Sequence, residues 1–363
     1  MALISLLFWS NISMLNIAHI LGSLQVGGAE RFVIDLCRTQ KKQGNNPMII
    51  SLGRPGEQLE SECDANQITF FSSNRTSILK LIQVYVRLKQ MDIVHIHTPY
   101  ALKFLQAIVP FLKAKIIYTR HGAAPLIAKH WKKLHVKIQP FIHAITFVSK
   151  EGMENFQKLY HWQQTPSQVI DNGVLINPVN PGSKCSAKVR IGSVGRMIPL
   201  KNQLGLLKAL SLLTADIQSN IEVHFFGDGE CLTHLKDYSA LNLPDTKVKF
   251  YGMVNDREEI YANIDALVVC SETEGLSMVI IEAMANKIPV IATNVGGNPK
   301  LVLDQKTGWL FDYDDNKKLA VILANIVQDK TVLNPIGLAA FNYISANFAI
   351  ESSAKKYLAL YEI

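Results

Sequence analysis

The 363-residue chain has little charge, no long apolar run and no paired cysteines, and each lack excludes a class of protein. Charged residues make up only 18% and hydrophobic ones 48%, which excludes a disordered chain and fits a well-buried α/β protein. Nowhere do the roughly 20 apolar residues of a membrane-spanning helix run together. The five cysteines, Cys37, Cys63, Cys185, Cys231 and Cys270, are odd in number, scattered and free of any CxxC pair. They read as reduced core thiols of a cytosolic protein, not as a disulfide frame or a zinc site. The GxGxxG fingerprint is missing, which argues against ordinary dinucleotide binding. Detectable repeats and low-complexity tracts are missing too. A net charge of +7 is modest, and suits anionic substrates or an anionic membrane surface more than nucleic acid.

Residues 1–13 pose a separate question. Ala2 to Trp9 is apolar but short, with no basic residue before it and no small-residue cleavage site after it. Met14 stands immediately before the first strand-like run, so a translation-start artefact is favoured over an interfacial anchor.

What is present is an alternation of strand-like and helix-like segments. Leu15 to Leu21 reads as a buried strand, ending in a glycine-rich loop (Gly27-Gly28-Ala29-Glu30) that opens an amphipathic helix. Strand, glycine loop and helix N-terminus together make an anion site, because free N–H groups face outward and glycine permits close approach. Further strands are expected at 47–52, 93–97, 115–119, 144–148 and 168–170. Several end in polar residues that gather along one edge: His97-Thr98, Arg120-His121-Gly122, Ser149-Lys150 and Asp171-Asn172-Gly173. Between Asn177 and Ala187 the sequence turns to Pro, Gly, Ser and Lys, the best linker candidate. The pattern then restarts, with strands expected at 189–194, 221–226, 248–251, 266–270 and 290–293, each followed by a polar or glycine-bearing turn. Two βα series predict two doubly wound, Rossmann-like domains facing each other across a cleft, spanning 1–180 and 187–341. From Asp315 onward the chain is expected to be helical with a break near Pro335. The terminal helix, 342–363, is free to pack on its own domain or to return to the first.

Two constellations carry chemistry. Arg196 and Lys201 lie where a strand gives way to a helix, so a bidentate fork, a mobile ammonium and a helix N-terminus could hold a diphosphate. Glu274 and Glu282, with seven residues between them, follow the strand 266–270. They are expected on one side of a loop–helix unit at the carboxyl edge of the sheet, where open α/β sheets bind ligands. A third stretch, Ile127 to Ile138, interleaves Lys129, Lys132, Lys133 and Lys137 with Trp131, Leu134, Val136 and Ile138. On a helix this gives either a basic face for an anionic membrane or a solvated helix with an apolar stripe in the core.

Taken in order, these segments resemble retaining glycosyltransferases of the GT-B fold, specifically glycosyltransferase family 4. The resemblance rests on Gly27 to Glu30, Arg120-His121-Gly122, Val148-Ser149-Lys150, Asp171 to Val174, Gly195-Arg196 with Lys201-Asn202, Gly227-Asp228-Gly229 and Glu274 to Ala285. It implies a nucleoside diphosphate-sugar donor, UDP- or GDP-linked, on the second domain and a glycan or lipid-linked acceptor on the first. Neither metal nor cofactor is implied. Arg196 and Lys201, with Gly195 and Asn202 beside them and Gly28 across the cleft, would grip the diphosphate. Glu282 would hold the ribose, and Glu274 with the amides of Gly275, Leu276 and Ser277 would hold the transferred sugar. Gly227 and Val254 would border the nucleoside, and His121 would approach the donor sugar. Arg120 stands where the family commonly has a neutral residue, and is expected to read an anionic acceptor. The implied setting is cell-envelope polysaccharide or lipopolysaccharide synthesis, in the cytoplasm or at the inner face of the membrane. A nucleotide-sugar epimerase and a non-catalytic sugar-nucleotide-binding subunit are the alternatives on the same fold.

Overall fold

The computed structural model describes residues 14–122, 126–176 and 188–362. The expectations for residues 1–13 and for the linker at 177–187 lie outside them. The first sheet has seven parallel strands: β1 (Asn16–Leu21), β2 (Asn46–Ser51), β3 (Thr69–Phe71), β4 (Ile93–Ile96), β5 (Lys115–Arg120), β6 (Ala144–Phe147) and β7 (Ser167–Val169), in the order β3-β2-β1-β4-β5-β6-β7. The second has six: β8 (Val189–Val194), β9 (Ile221–Phe226), β10 (Lys247–Phe250), β11 (Ala266–Val269), β12 (Val290–Thr293) and β13 (Gly308–Phe311), in the order β10-β9-β8-β11-β12-β13. Central strands such as β4 and β11 are buried at every position, because helices cover both faces of a parallel sheet. Each sheet reverses its winding once, between β1 and β4 and between β8 and β11. Those switch points open crevices at the carboxyl ends of the strands.

The short strands β3 and β13 were not expected. β3 is a three-residue edge strand, and Gly308 and Trp309 open β13 without an apolar run long enough to register. The helical break also falls elsewhere: Asn316–Gln328 gives way to a 3-10 turn at Lys330–Val332, and Leu333–Asn347 follows. Pro335 sits in the first turn of that last helix, where its missing N–H leaves no bond unmade.

The final helix begins at Ile350, not at 342, and lies on the first domain beside the helix Gly28–Lys42. Three contacts tie it there. Tyr361 Oη bonds His95 Nδ1 at 2.7 Å, Lys115 Nζ donates to the Tyr361 carbonyl at 3.1 Å, and Ser353 Oγ donates to the Asp171 carbonyl at 2.8 Å. One continuous apolar cluster therefore runs from Phe32 and Leu36 of the first domain through Met278, Ile281 and Met284 of the second to Tyr357 and Tyr361.

Candidate active site

Three helix N-termini meet at the front of the cleft. The helix Gly28–Lys42 begins against the helix Met278–Ala285, so closely that a Cβ on Gly28 would stand 2.9 Å from Met278 Cγ. Any side chain there would force Met278 to shift. The helix Gln203–Ser211 starts at the loop carrying Arg196 and Lys201. Each N-terminus presents unpaired amides and about half a positive charge, so their meeting point favours an anion.

Lys201 and Glu274 are already joined. Lys201 Nζ donates to Glu274 Oε1 at 2.6 Å, and Ser271 Oγ donates to the same oxygen at 2.7 Å. Together with residues that include Ser193, Gln203, Cys270 and Val279 they line a pocket of about 10 Å³, room for roughly one water. The lysine thus fills the space over the carboxylate, and a diphosphate would have to draw it away. Arg196 projects into solvent, within electrostatic reach of Glu30 on the facing loop. Burial raises the Glu30 carboxyl above its usual range, and the Arg196 charge works against that rise.

Glycine turns set this edge of the second domain. Gly227 has φ +134, and a Cβ there would collide with the Gly195 carbonyl, so the turns after β8 and β9 pack backbone to backbone. Gly227 N donates to the Gly252 carbonyl at 2.7 Å, anchoring the loop that carries Val254. Tyr251 at its start stacks on Phe226 with ring centroids 4.6 Å apart. Asn202 caps its helix from the left-handed region, while Leu276 and Ser277 are buried beneath the approach of Met278.

Glu274 lines the small pocket at Lys201, and Glu282 lines a groove between the domains. The helix starts only at Met278, so Glu274 belongs to the loop and helical spacing never relates the two. Glu282 is buried and accepts from Tyr261 Oη at 2.8 Å through Oε2, while Oε1 lies 3.8 Å from Arg257 without a hydrogen bond. Arg257 donates to Asp35 at 2.8 Å and to Glu62 at 3.0 Å, both in the first domain. Arg31 returns the link by donating to the Asn255 carbonyl at 2.7 Å. Burial raises the Asp35 carboxyl, against the pull of Arg257, and the three acids hold the Arg257 proton above its ordinary range. Glu282 lines a groove of about 570 Å³ between the domains, with Asp35, Glu62, Asn255, Arg257 and Asn286.

His121 ends a hydrogen-bonded chain through the first domain. Its Nε2 meets His97 Nδ1 at 3.0 Å, His97 Nε2 meets His19 Nδ1 at 2.9 Å, and His19 Nε2 meets Gln40 Oε1 at 2.8 Å. Asn172 Nδ2 donates to His121 Nδ1 at 3.4 Å. An amide oxygen at one end and an amide nitrogen at the other give one consistent direction: every ring donates from Nε2 and accepts at Nδ1. Burial pushes His19 and His121 down to about 4, and His95 and His97 well below 6.5, so the chain is neutral at pH 7. The nitrogens of His19, His95 and His97 converge closely enough to suit a metal, yet all are engaged with each other, Gln40, His121, Tyr361 or Thr119. Arg120 turns the other way. It is buried beside Tyr118 on the opposite face of β5, since successive strand residues alternate, yet its charge still reaches His121 and helps to lower that imidazole.

The sequence reading missed Ser271, Arg257, Asp35 and the chain behind His121. His95 and His97 alternate on one strand and so share a face, which was a legible signal. The partners of Arg257 lie 195 and 222 residues away, and left none.

Comparison with known proteins agrees with this layout. Residues 26–177 match the Glycosyltransferase Family 4 model and residues 183–341 match Glycosyl transferases group 1, one per domain. A Campylobacter jejuni GalNAc-alpha-(1->4)-GalNAc-alpha-(1->3)-diNAcBac-PP-undecaprenol alpha-1,4-N-acetyl-D-galactosaminyltransferase is 25% identical over 336 residues, 87% of this chain and 90% of that one. The Escherichia coli UDP-Gal:alpha-D-GlcNAc-diphosphoundecaprenol alpha-1,3-galactosyltransferase is 28% identical, over 77% of this chain and 78% of its own. Among solved structures, Anabaena HepE in complex with UDP-glucose superposes with a TM-score of 0.83 at 20% identity, covering 96% of this chain and all of that one (100%). With both halves matched in order and two facing Rossmann-like domains, the chain belongs to the family 4 glycosyltransferases of the GT-B fold.

Proposed function

We propose that the protein transfers a hexosyl group from a UDP-linked sugar to a lipid-linked glycan acceptor, with retention of configuration and without a metal, in envelope polysaccharide synthesis. The observation that carries this is the meeting of Lys201, Glu274 and three helix N-termini in one cleft. Arg196, Lys201 and the amide-bearing helix ends supply the positive charge that a departing nucleoside diphosphate needs, a preorganised effect worth several kcal/mol. On donor binding Lys201 exchanges Glu274 for the phosphates, and the freed carboxylate takes the hydroxyls of the transferred sugar. Glu282 Oε1, buried without a hydrogen-bond partner on the inter-domain groove, is suited to accept from the ribose.

The reaction runs on one face of the sugar. The acceptor oxygen bonds to C1 as the C1–phosphate bond breaks, and the acceptor proton passes to the departing phosphate oxygen. No protein base is required. His121, held near 4 by burial, is a weak base and serves by orienting the donor sugar. The UDP assignment and the lipid-linked acceptor are supported by the printed activities of the relatives and by the UDP-glucose in the superposed structure, and on this reading the enzyme works at the cytoplasmic face of a membrane.

Incubation with UDP- and GDP-sugars and an undecaprenyl diphosphate-linked glycan tests the reading. The expected result is an α-linked product from one UDP-hexose, formed equally in EDTA. An inverted product, a strict Mg²⁺ requirement, or donor epimerisation without transfer would each overturn it.

A further inference from the structure

Charge is distributed unevenly along the chain. Residues 75–143 contain twelve Lys and Arg and a single acid, Asp92, a net +11 against +7 for the whole sequence. This stretch contains the helices Ser77–Leu88, Pro99–Leu105 and Lys129–Ile138, which pack on one face of the first sheet over a shared core of Val84, Leu102, Leu105, Trp131 and Leu134. Of the two readings of residues 127–138, the one with its apolar stripe in the core describes the helix itself. Trp131, Leu134 and Ile138 are core, while Lys129, Lys132, Lys133 and Lys137 stand outside.

The outer side of these helices is apolar as well as basic. Ile78, Ile82 and Val86 recur every four residues, so they form one stripe along the helix Ser77–Leu88, and all three are more than half exposed (74%, 54% and 55%). Leu79 widens the stripe, and Ile127 and Val136 are 79% and 60% exposed near and on the helix Lys129–Ile138. The exposed cations around them are Arg75, Lys89, Lys103, Lys113 and the four lysines of that helix. Among the described residues, none of these eight forms an ion pair with a carboxylate.

We propose that this face of the first domain docks on an anionic lipid bilayer, with the aliphatic side chains entering the headgroup layer and the lysines meeting the lipid phosphates. Two features favour a bilayer over an acidic protein. Seven of the eight cations are lysine, a residue depleted from protein interfaces. The apolar residues are spread among the cations over two helices, an arrangement that suits a fluid surface better than one dry interface core. No helix among the described residues is long and apolar enough to cross a membrane, so the contact is peripheral. The proposal builds on the lipid-linked acceptor reading but does not need it, because binding is measured without turnover.

The test is flotation of the full-length protein with phosphatidylcholine vesicles containing about one-third phosphatidylglycerol, against pure phosphatidylcholine. The expected result is binding to the anionic vesicles alone, weakened by salt. At about 1 kcal/mol per lysine near the surface, Lys129, Lys132, Lys133 and Lys137 changed together to Ala weaken it roughly a hundredfold or more. Ile82→Asp with Val86→Asp, at exposed sites that leave the fold intact, weakens it independently. Absence of binding, equal binding to neutral vesicles, or unchanged binding by both variants would overturn the proposal. Tight association with a soluble acidic protein that excludes vesicles would do the same. Vesicle binding without transfer would sink the proposed function alone; transfer without vesicle binding would sink this proposal alone.

Discussion

Acid should unfold this protein earlier than its carboxylates would suggest. Three buried histidines, His19, His121 and His135, have pKa values near 4 in the folded chain, against 6.5 for an ordinary imidazole. Burial is the main cause in each case, because the interior penalises the imidazolium. Between those values the unfolded chain binds the proton and the folded chain does not, so stability falls as pH falls. The contribution is complete above pH 6.5 and lost progressively toward pH 4. At pH 5 each such histidine costs about 2 kcal/mol. Three together cost on the order of 6 kcal/mol, a large part of a typical stability of about 5–15 kcal/mol. Half-buried Glu30 and buried Asp35, whose pKa values are raised, act in the opposite direction, while His95 and His97, held well below 6.5 by the same burial, add to the loss. Urea unfolding at pH 7.5 and 5.0 reads the difference. His135→Leu isolates one group, since among the described residues His135 hydrogen-bonds the Trp131 carbonyl of its own helix through Nδ1 and stacks on Tyr160. That variant should lose about 2 kcal/mol less than wild type between the two pH values. An unfolding midpoint that does not move between pH 7.5 and 5.0 would refute the reasoning.

Other expectations concern the cleft and the domain contact. Lys201→Ala should lower turnover by orders of magnitude with near-native unfolding, checked by steady-state kinetics beside circular dichroism; near-wild-type activity contradicts the diphosphate role. Gly28→Val should push Met278 away and reduce kcat/KM at least tenfold, with Gly28→Ala milder, and equal kinetics for all three would show that the close approach is dispensable. Arg257→Ala strands the buried Asp35 carboxylate and should destabilise by about 3–5 kcal/mol, whereas adding Asp35→Asn should restore part of that, as a double-mutant cycle would report.

The local chemistry was legible in the sequence, and the long-range chemistry was not. Glycine turns, apolar runs and the Arg196–Lys201 spacing are decided within a few residues, so they pointed to two Rossmann-like domains and a diphosphate edge. The Lys201–Glu274 pair spans 73 residues, and neither partner's surroundings name the other. Helical phase cannot relate Glu282 to Glu274, because Glu274 lies in the loop before the helix Met278–Ala285. A single step of strand alternation sends His121 to one face of the sheet and Arg120 to the other, which the adjacency of the two in sequence hides. The histidine chain depends on register, with His19 opposite His95 across β1 and β4, and register is fixed only when the sheet assembles.

The returning final helix has a consequence for how the molecule comes into being. Tyr361 reaches His95 across 266 residues of sequence, and Tyr357 reaches Thr119 across 238. During synthesis the first domain emerges with its polar layer uncovered and stays so until the second domain has been made. The half of the protein that leaves the ribosome first is therefore the half that is finished last.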